Sequence, residues 1–280
     1  MAKVRIAALG DLHCSKTSQG ALQPLLAKAA EAAELLLLAG DLTDYGLPEE
    51  ARILARELTA VRVPVVAVLG NHDVESGKEN EVRQILRDAG TTVLDGDGFE
   101  THGIGIAGVK GFGGGFGQRA LGAWGEATIK QFVRETVDET LKLETALARM
   151  QTLPLVALLH YSPVQQTVEG EPLEIYPFLG SSRLEEPINT YHVSLVVHSH
   201  AHRGRFAGTT STGIPVYNVS MPMLMRESAD RLPFRVFEIS VGDVKASVSS
   251  HATSPAPMHD VIIPTDRDRP VERRATERRH

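Results

Sequence analysis

The 280-residue chain contains a single cysteine, Cys14, so no intramolecular disulfide framework can hold it together. That composition suits a reducing compartment. Long apolar runs are missing as well. No segment reaches the roughly 20 residues that a membrane-spanning helix needs, and the opening stretch Val4–Leu9 is too short for a secretory leader. An excess of positive charge is also lacking. With 29 Lys and Arg against 35 Asp and Glu the formal net charge is −6, which gives no overall attraction to nucleic acid or an acidic membrane surface. No internal repeat is evident. A globular protein expected in the cytoplasm remains, with no membrane partner and nucleic acid disfavoured. At 280 residues and 42% apolar content, it can bury the core of one large α/β domain or two small ones.

Short apolar runs stop abruptly at polar clusters. Val4–Leu9 ends at Gly10-Asp11, Leu35–Ala39 at Gly40-Asp41, and Val63–Leu69 at Gly70-Asn71-His72-Asp73. Each run reads as a buried strand. Helical periodicity over Leu22–Glu34, Glu49–Ala60 and Glu79–Ala89 makes the intervening segments crossovers, so the strands should be parallel. Phe99–Val109 suits a hairpin, Gly111–Gly117 a Gly-rich loop, and Ala127–Met150 a long helix. Leu155–Leu159 and Ser194–Val197 then run into His160 and into His198, His200 and His202, giving five polar strand ends. Pro215–Val219, Phe234–Ile239 and Val244–Val248 read as antiparallel strands of a second sheet layer. The expected division is a domain over residues 1–250 and a disordered charged tail over 251–280.

Ligands of open α/β sheets gather beyond the carboxyl ends of the strands, so these clusters can converge. Asp11 and His13 are two residues apart after a strand, where an extended backbone aims both side chains the same way. Asp41 can bridge two cations through its two oxygens, which an imidazole cannot do. Asn71 offers an amide oxygen, and His160, His200 and His202 offer ring nitrogens. A sulfur-free mixture of N and O donors selects Mn, Fe, Zn or Co over Cu(I) or Ca. Two such ions about 3.5–4 Å apart suit phosphate-ester hydrolysis, because they activate the nucleophile and stabilise charge on the leaving oxygen.

Asp11-Leu12-His13, Gly40-Asp41-Leu42-Thr43-Asp44, Gly70-Asn71-His72-Asp73, His160 and Ser199-His200-Ala201-His202 appear in the order of the motifs D-x-H, G-D-x-x-D, G-N-H-D/E, a lone histidine and G-H-x-H. In this the chain resembles the calcineurin-like metallophosphoesterase superfamily, from residue 4 to about residue 220. The resemblance implies a four-layer α/β/β/α sandwich with two mixed sheets and flanking helices. It implies Asp11, His13, Asp41 and His202 around one metal and Asp41, Asn71, His160 and His200 around the other, with Mn, Fe or Zn as the ions. It further implies that His72 contacts the phosphoryl group and can protonate the leaving oxygen, with Asp73 orienting it from behind, both outside the metal ligand set. Attack by a metal-bridging hydroxide on a small phosphodiester, a cyclic nucleotide or similar compound, is the expected reaction. A phosphomonoesterase or protein phosphatase, or a non-catalytic scaffold of the same fold, is the alternative.

Ser199 stands where the family has glycine, and His198 adds a third alternating histidine. The register is therefore open. A His198/His200 pair would put Val197 at the glycine position, whereas His200/His202 keeps a small residue there and is preferred, with His198 packed behind the ligands. Taken singly, Asp11, Asp41 and Asn71 are ordinary cap or turn residues, and His160 alone would be a satisfied core histidine. Asp44 reads as a cap or turn residue outside the site, Cys14 as a small packed residue, and His102 and His192 as surface or core. The Gly-rich loop reads as a mobile connection.

Overall fold

The computed structural model describes residues 2–150, 153–228 and 230–241, all within the compact unit Met1–Asp243. The strand expected at Val244–Val248 and the tail expected over 251–280 lie outside the described residues. The chain runs β1 (Ala2–Leu9), α1 (Gln23–Glu31), β2 (Leu35–Ala39), α2 (Pro48–Glu57), β3 (Val65–Val68), α3 (Glu79–Asp88), β4 (Thr91–Leu94), β5 (Asp97–Thr101) and β6 (Ile104–Val109). It continues with α4 (Ala127–Ala148), β7 (Leu155–Leu159), α5 (Tyr176–Leu179), α6 (Glu185–Thr190), β8 (Leu195–His198), β9 (Ala207–Thr209), β10 (Pro215–Asn218), α7 (Met221–Glu227) and β11 (Arg235–Val241).

Two mixed sheets result, one of five strands in the order β11-β1-β2-β3-β4 and one of six in the order β5-β6-β7-β8-β10-β9. β1 to β4 are parallel and β11 is an antiparallel edge, while β6, β7, β8 and β10 are parallel between antiparallel edges β5 and β9. Parallel strands packed on both faces need apolar side chains throughout, which is why Leu35–Ala39 and Leu155–Leu159 are buried at every position.

The two-residue period of each strand divides its side chains between layers. Ile6, Ala8, Leu35, Leu37, Val66 and Val68 meet Ile106, Val156, Leu158 and Val197 of the other sheet in a central core. The alternate residues Ala7, Leu36 and Leu38 pack under Leu26 of α1, Leu54 of α2 and Leu86 of α3. On the far side Ala107, Ala157 and Val196 pack under Leu143 and Leu147 of α4 and Ile188 of α6. Helices, sheet, sheet and helices therefore form the expected four layers.

Four strand assignments differ from the sequence reading. β10 is parallel to β8, and β11 joins the first sheet beside β1. Chain direction is set by where the connection crosses, and the β8–β10 link carries the edge strand β9 instead of forming a hairpin. β4 and β9 were not expected, being short and carrying Thr or Gly in place of an apolar run.

Candidate metal centre

The parallel strands deliver the polar clusters to one edge. Asp11 and His13 follow β1, Asp41 follows β2, Asn71 follows β3, His160 follows β7, and His200 and His202 follow β8. Asp11, His13, Asp41 and His200 all have positive φ, at 57°, 43°, 47° and 71°. Non-glycine residues rarely adopt this conformation, and it concentrates where a site overrides backbone preference. At Gly70 the chain passes so close to Asp41 that any Cβ would overlap its carboxylate and backbone N–H, so the glycines of these motifs are space requirements.

Besides a third set of His13, Asp44 and His72, two groups of candidate ligand atoms converge, Asp11 with His13 and His202, and Asp41 with His160 and His200, each within 4.8 Å. Asp41 faces both. Its Oδ2 lies 3.9 Å from His13 Nε2 and its Oδ1 lies 3.4 Å from His160 Nε2. Asn71 Oδ1 is 2.8 Å from His160 Nε2, and Asp11 Oδ2 is 3.3 Å from His202 Nε2. All seven residues expected to hold metal are therefore brought together.

Hydrogen bonds fix the ring tautomers, because a backbone carbonyl only accepts. His160 Nδ1–H donates to Ala39 O at 3.0 Å, and His200 Nε2–H donates to Phe178 O at 3.1 Å. The lone pairs on His160 Nε2 and His200 Nδ1 are thereby left for the cluster. The Asp11 carboxylate accepts from the His200 backbone N–H.

Burial alone would raise the Asp11 carboxyl, but the His202 hydrogen bond and the neighbouring His160 and His202 imidazoles hold it well below the usual carboxylate range. Burial, with the Asp11 and Asp73 charges beside it, pushes Asp41 up to about 9. Burial likewise lowers His160, and takes His200 down to about 4, so both rings are neutral at pH 7.

These residues fit a pair of cations. His13 Nε2 is buried without a hydrogen-bond partner among the described residues. Asp11, Asp41 and Asp73 are buried within one region, and no Lys or Arg forms an ion pair with any of them among the described residues. Buried carboxylates and lone pairs turned toward one another are costly until a cation lies between them.

The roles around this set are more finely divided than expected. His198 is fully buried, with Nδ1 2.8 Å from Ser199 O and Nε2 2.8 Å from Thr167 Oγ1, so it packs behind the ligands while His200 and His202 reach the groups. His72 stands beside His13, ring centroids 4.6 Å apart, and its Nδ1 is held by Asp44 O at 2.7 Å. The residue orienting His72 is thus Asp44, through its carbonyl. Asp73, expected in that role, instead accepts from the backbone N–H groups of Leu42, Thr43 and Gly70 and from the Thr43 hydroxyl. It ties the loop after β2 to the loop after β3.

Sequence reasoning also set Asp44 aside as a cap or turn residue and missed Tyr161. Asp44 Oδ1 lies 3.5 Å from His13 Nδ1, and the Tyr161 ring lies 4.5 Å from that of His200. Asp44 closes a written motif, and Tyr161 directly follows the motif residue His160, the only signal available for it. Cys14 is buried, and burial pushes its thiol up to about 12, as suits a packed residue.

Among curated proteins, none matches the chain. Solved structures share the architecture. Phosphopantetheinyl hydrolase from Mycobacterium tuberculosis is similar with a TM-score of 0.63 and 16% identity, over 87% of this chain and 98% of that one. The protein TT1561 of Thermus thermophilus is similar with a TM-score of 0.49 and 16% identity, over 80% of this chain and 92% of that one. The family model for calcineurin-like phosphoesterases matches residues 4–204, a span that holds all seven residues expected to hold metal. The chain belongs to the calcineurin-like phosphoesterase family.

Proposed function

We propose that the protein is a dinuclear metal-dependent phosphoesterase that hydrolyses a small phosphodiester, a cyclic nucleotide or similar compound. The observation that carries this reading is the position of Asp41, with one carboxylate oxygen toward His13 and the other toward His160. A carboxylate so placed serves both ligand groups at once, which a single-metal site does not require. Manganese, iron or zinc suits the mixed N and O donors.

Two bound cations supply Lewis acidity toward the phosphoryl oxygens and a nucleophile at neutral pH. The chain's own groups do the positioning. Ala39 O and Phe178 O lock the His160 and His200 rings, and a bond to the distal nitrogen keeps each ligand nitrogen basic. With Nδ1–H donating to Asp44 O, His72 keeps Nε2 for the substrate, and as the doubly protonated imidazolium it can hand the Nε2 proton to the leaving oxygen and remain as the neutral ring. The Asn71-His72 pair is the feature shared with the phosphodiesterases the sequence resembles. The similar structure from M. tuberculosis is named a phosphopantetheinyl hydrolase, and at 16% identity it supports the fold and leaves the substrate to experiment.

The test is hydrolysis of bis-p-nitrophenyl phosphate and p-nitrophenyl phosphate by metal-stripped protein before and after manganese is added, with Asp41→Ala as control. The expected result is manganese-dependent cleavage, faster on the diester and lost in the variant. Preference for the monoester would replace the diesterase reading with a phosphomonoesterase. No turnover with Mn, Fe, Zn or Co, despite two bound ions per chain, would leave a binding protein of the same fold.

A further inference from the structure

Beside the metal centre lies a cavity of about 560 Å³ to which none of the motif ligands contributes. It is bracketed by the same two strand ends. Leu69 and Val74 flank the Asn71–Asp73 segment on one side, and Lys110 and Phe112 follow β6 on the other. The Lys110 carbonyl accepts the backbone N–H groups of both His160 and Tyr161, so this wall is tied directly to a metal ligand. Tyr161 stands between the two spaces, its ring 4.5 Å from that of His200 and 5.3 Å from Lys110 Nζ.

The charges of the cavity are unevenly satisfied. Asp95 pairs with Arg83 at 2.9 Å and Lys142 at 3.0 Å, and Glu139 pairs with Lys142 while accepting the Gly111 N–H. Lys110 has no carboxylate within 4 Å among the described residues. Its ammonium reaches one carbonyl, Gly111 O at 3.0 Å, and lies over the Phe112 ring at 4.9 Å. An ammonium has three protons to donate, so two of these are left over. A second donor on the same wall, Arg83 Nε, is buried with no partner among the described residues. Glu79 and Glu135 also line the cavity and form no ion pair among the described residues, which leaves their oxygens as acceptors for hydroxyl groups.

Resting on the phosphoesterase reading above, we propose that this cavity is a substrate subsite in which Lys110 and Arg83 bind a second anionic group of a phosphorylated sugar, nucleosides included. The ester phosphate sits at the metal centre. The hydroxylated skeleton passes Tyr161 and Phe112, with its hydroxyls toward Glu79 and Glu135, and the distal phosphate or carboxylate meets Lys110. Apolar Leu69, Val74 and Phe112 give the skeleton its packing surface. Such a ligand matches a wall that offers donors, acceptors and apolar side chains together.

Isothermal titration of manganese-loaded protein, freed of excess metal, with adenosine 3′,5′-bisphosphate and with adenosine 5′-monophosphate tests this. The expected result is binding of the bisphosphate at least tenfold tighter than the monophosphate, with the ratio falling below twofold in Lys110→Met. Lys110→Gln serves the same comparison if the methionine variant does not fold, and Lys110→Arg should restore part of the ratio. Equal binding of the two ligands by the wild type, or a ratio that survives removal of the Lys110 charge, overturns the proposal. Wild-type turnover of bis-p-nitrophenyl phosphate is measured on the same preparation. Its absence would sink the phosphoesterase reading while the calorimetric ratio still decides the subsite.

Discussion

His160 and Ala39 are joined across the two sheets by a hydrogen bond of 3.0 Å from the imidazole Nδ1–H to the backbone carbonyl. The Ser199 hydroxyl donates to the same carbonyl at 2.5 Å. Gly40, next in the chain, has φ +86° and no room for a side chain, since a Cβ there would lie 2.5 Å from His160 Nδ1. Gly40→Ala should therefore cost about 2–4 kcal/mol by chemical denaturation, through backbone strain and a displaced ligand. It should also lower the metal content below two ions per chain. Ser199→Gly, which restores the residue usual in the family, should cost only about 1 kcal/mol, because the His160 bond survives. Equal stability for Gly40→Ala and wild type would show that the His160–Ala39 register is not held by this contact.

Asp41 predicts opposite behaviour with and without metal. Burial beside Asp11 and Asp73 pushes its carboxyl up to about 9, so in metal-free protein at pH 7 it is protonated and an amide is nearly isosteric with it. Metal-free Asp41→Asn should be more stable than wild type at pH 7, because the wild type must take up a proton to fold and the amide need not. A folded-state pKa above the unfolded value means that stability is lost as pH rises toward the folded pKa. Metal-free wild type should thus weaken between pH 7 and 9 by up to about 1.4 kcal/mol per pH unit from this group, and the variant should not. Manganese should raise the melting temperature of the wild type and leave the variant almost unmoved. Identical pH profiles for the two metal-free proteins would remove Asp41 as the titrating group.

The histidine register can be read from metal stoichiometry. His200 and His202 belong to the two ligand groups, whereas His198 is spent on Ser199 O and Thr167 Oγ1. His200→Ala and His202→Ala should each bind fewer than two ions and lose at least about a hundredfold in activity, since even residues that only orient metal ligands are worth tenfold to a hundredfold. His198→Ala should keep both ions while losing about 2–4 kcal/mol of stability, because it leaves a buried cavity and an unpaired Thr167 hydroxyl. Loss of an ion in His198→Ala with retention in His202→Ala would reverse the register.

Legibility in the sequence followed how local each signal is. Asp11, Asp41, Asn71, His160, His200 and His202 each terminate or closely follow an apolar run, so a strand end and a polar cluster could be recognised within ten residues. The β5–β6 hairpin and α4 were legible for the same reason. β10 and β11 were recognisable as strands, but their partners were not, because pairing with β8 and β1 depends on crossovers that no single run encodes. β9, only Ala-Gly-Thr, has no apolar alternation to find. Asp73 was singled out by its motif yet given the wrong partner, since its donors Leu42 and Thr43 lie in a loop 30 positions earlier in the chain. Lys110 has no motif at all, and its lack of an ion pair among the described residues exists only in three dimensions.

His72 and Asp73 are neighbours in sequence whose removal should have unlike effects. Asp73 is fully buried and accepts four hydrogen bonds from two loops, so Asp73→Ala strips the partner from several buried donors at once. The expected cost is about 3–5 kcal/mol, seen as an earlier denaturation midpoint with loss of metal as a consequence. His72 is partly exposed, its ring is held by one carbonyl, and it belongs to neither ligand group that includes Asp11 or Asp41. His72→Ala should keep the wild-type midpoint and both ions while slowing turnover by about 10²–10⁴-fold, the span of a lost proton donor. The defect should shrink on an ester whose alcohol leaves without protonation, such as p-nitrophenol, relative to one with an alkyl alcohol. A His72→Ala defect of the same size on both esters would mean that the imidazole positions the phosphoryl group and transfers no proton.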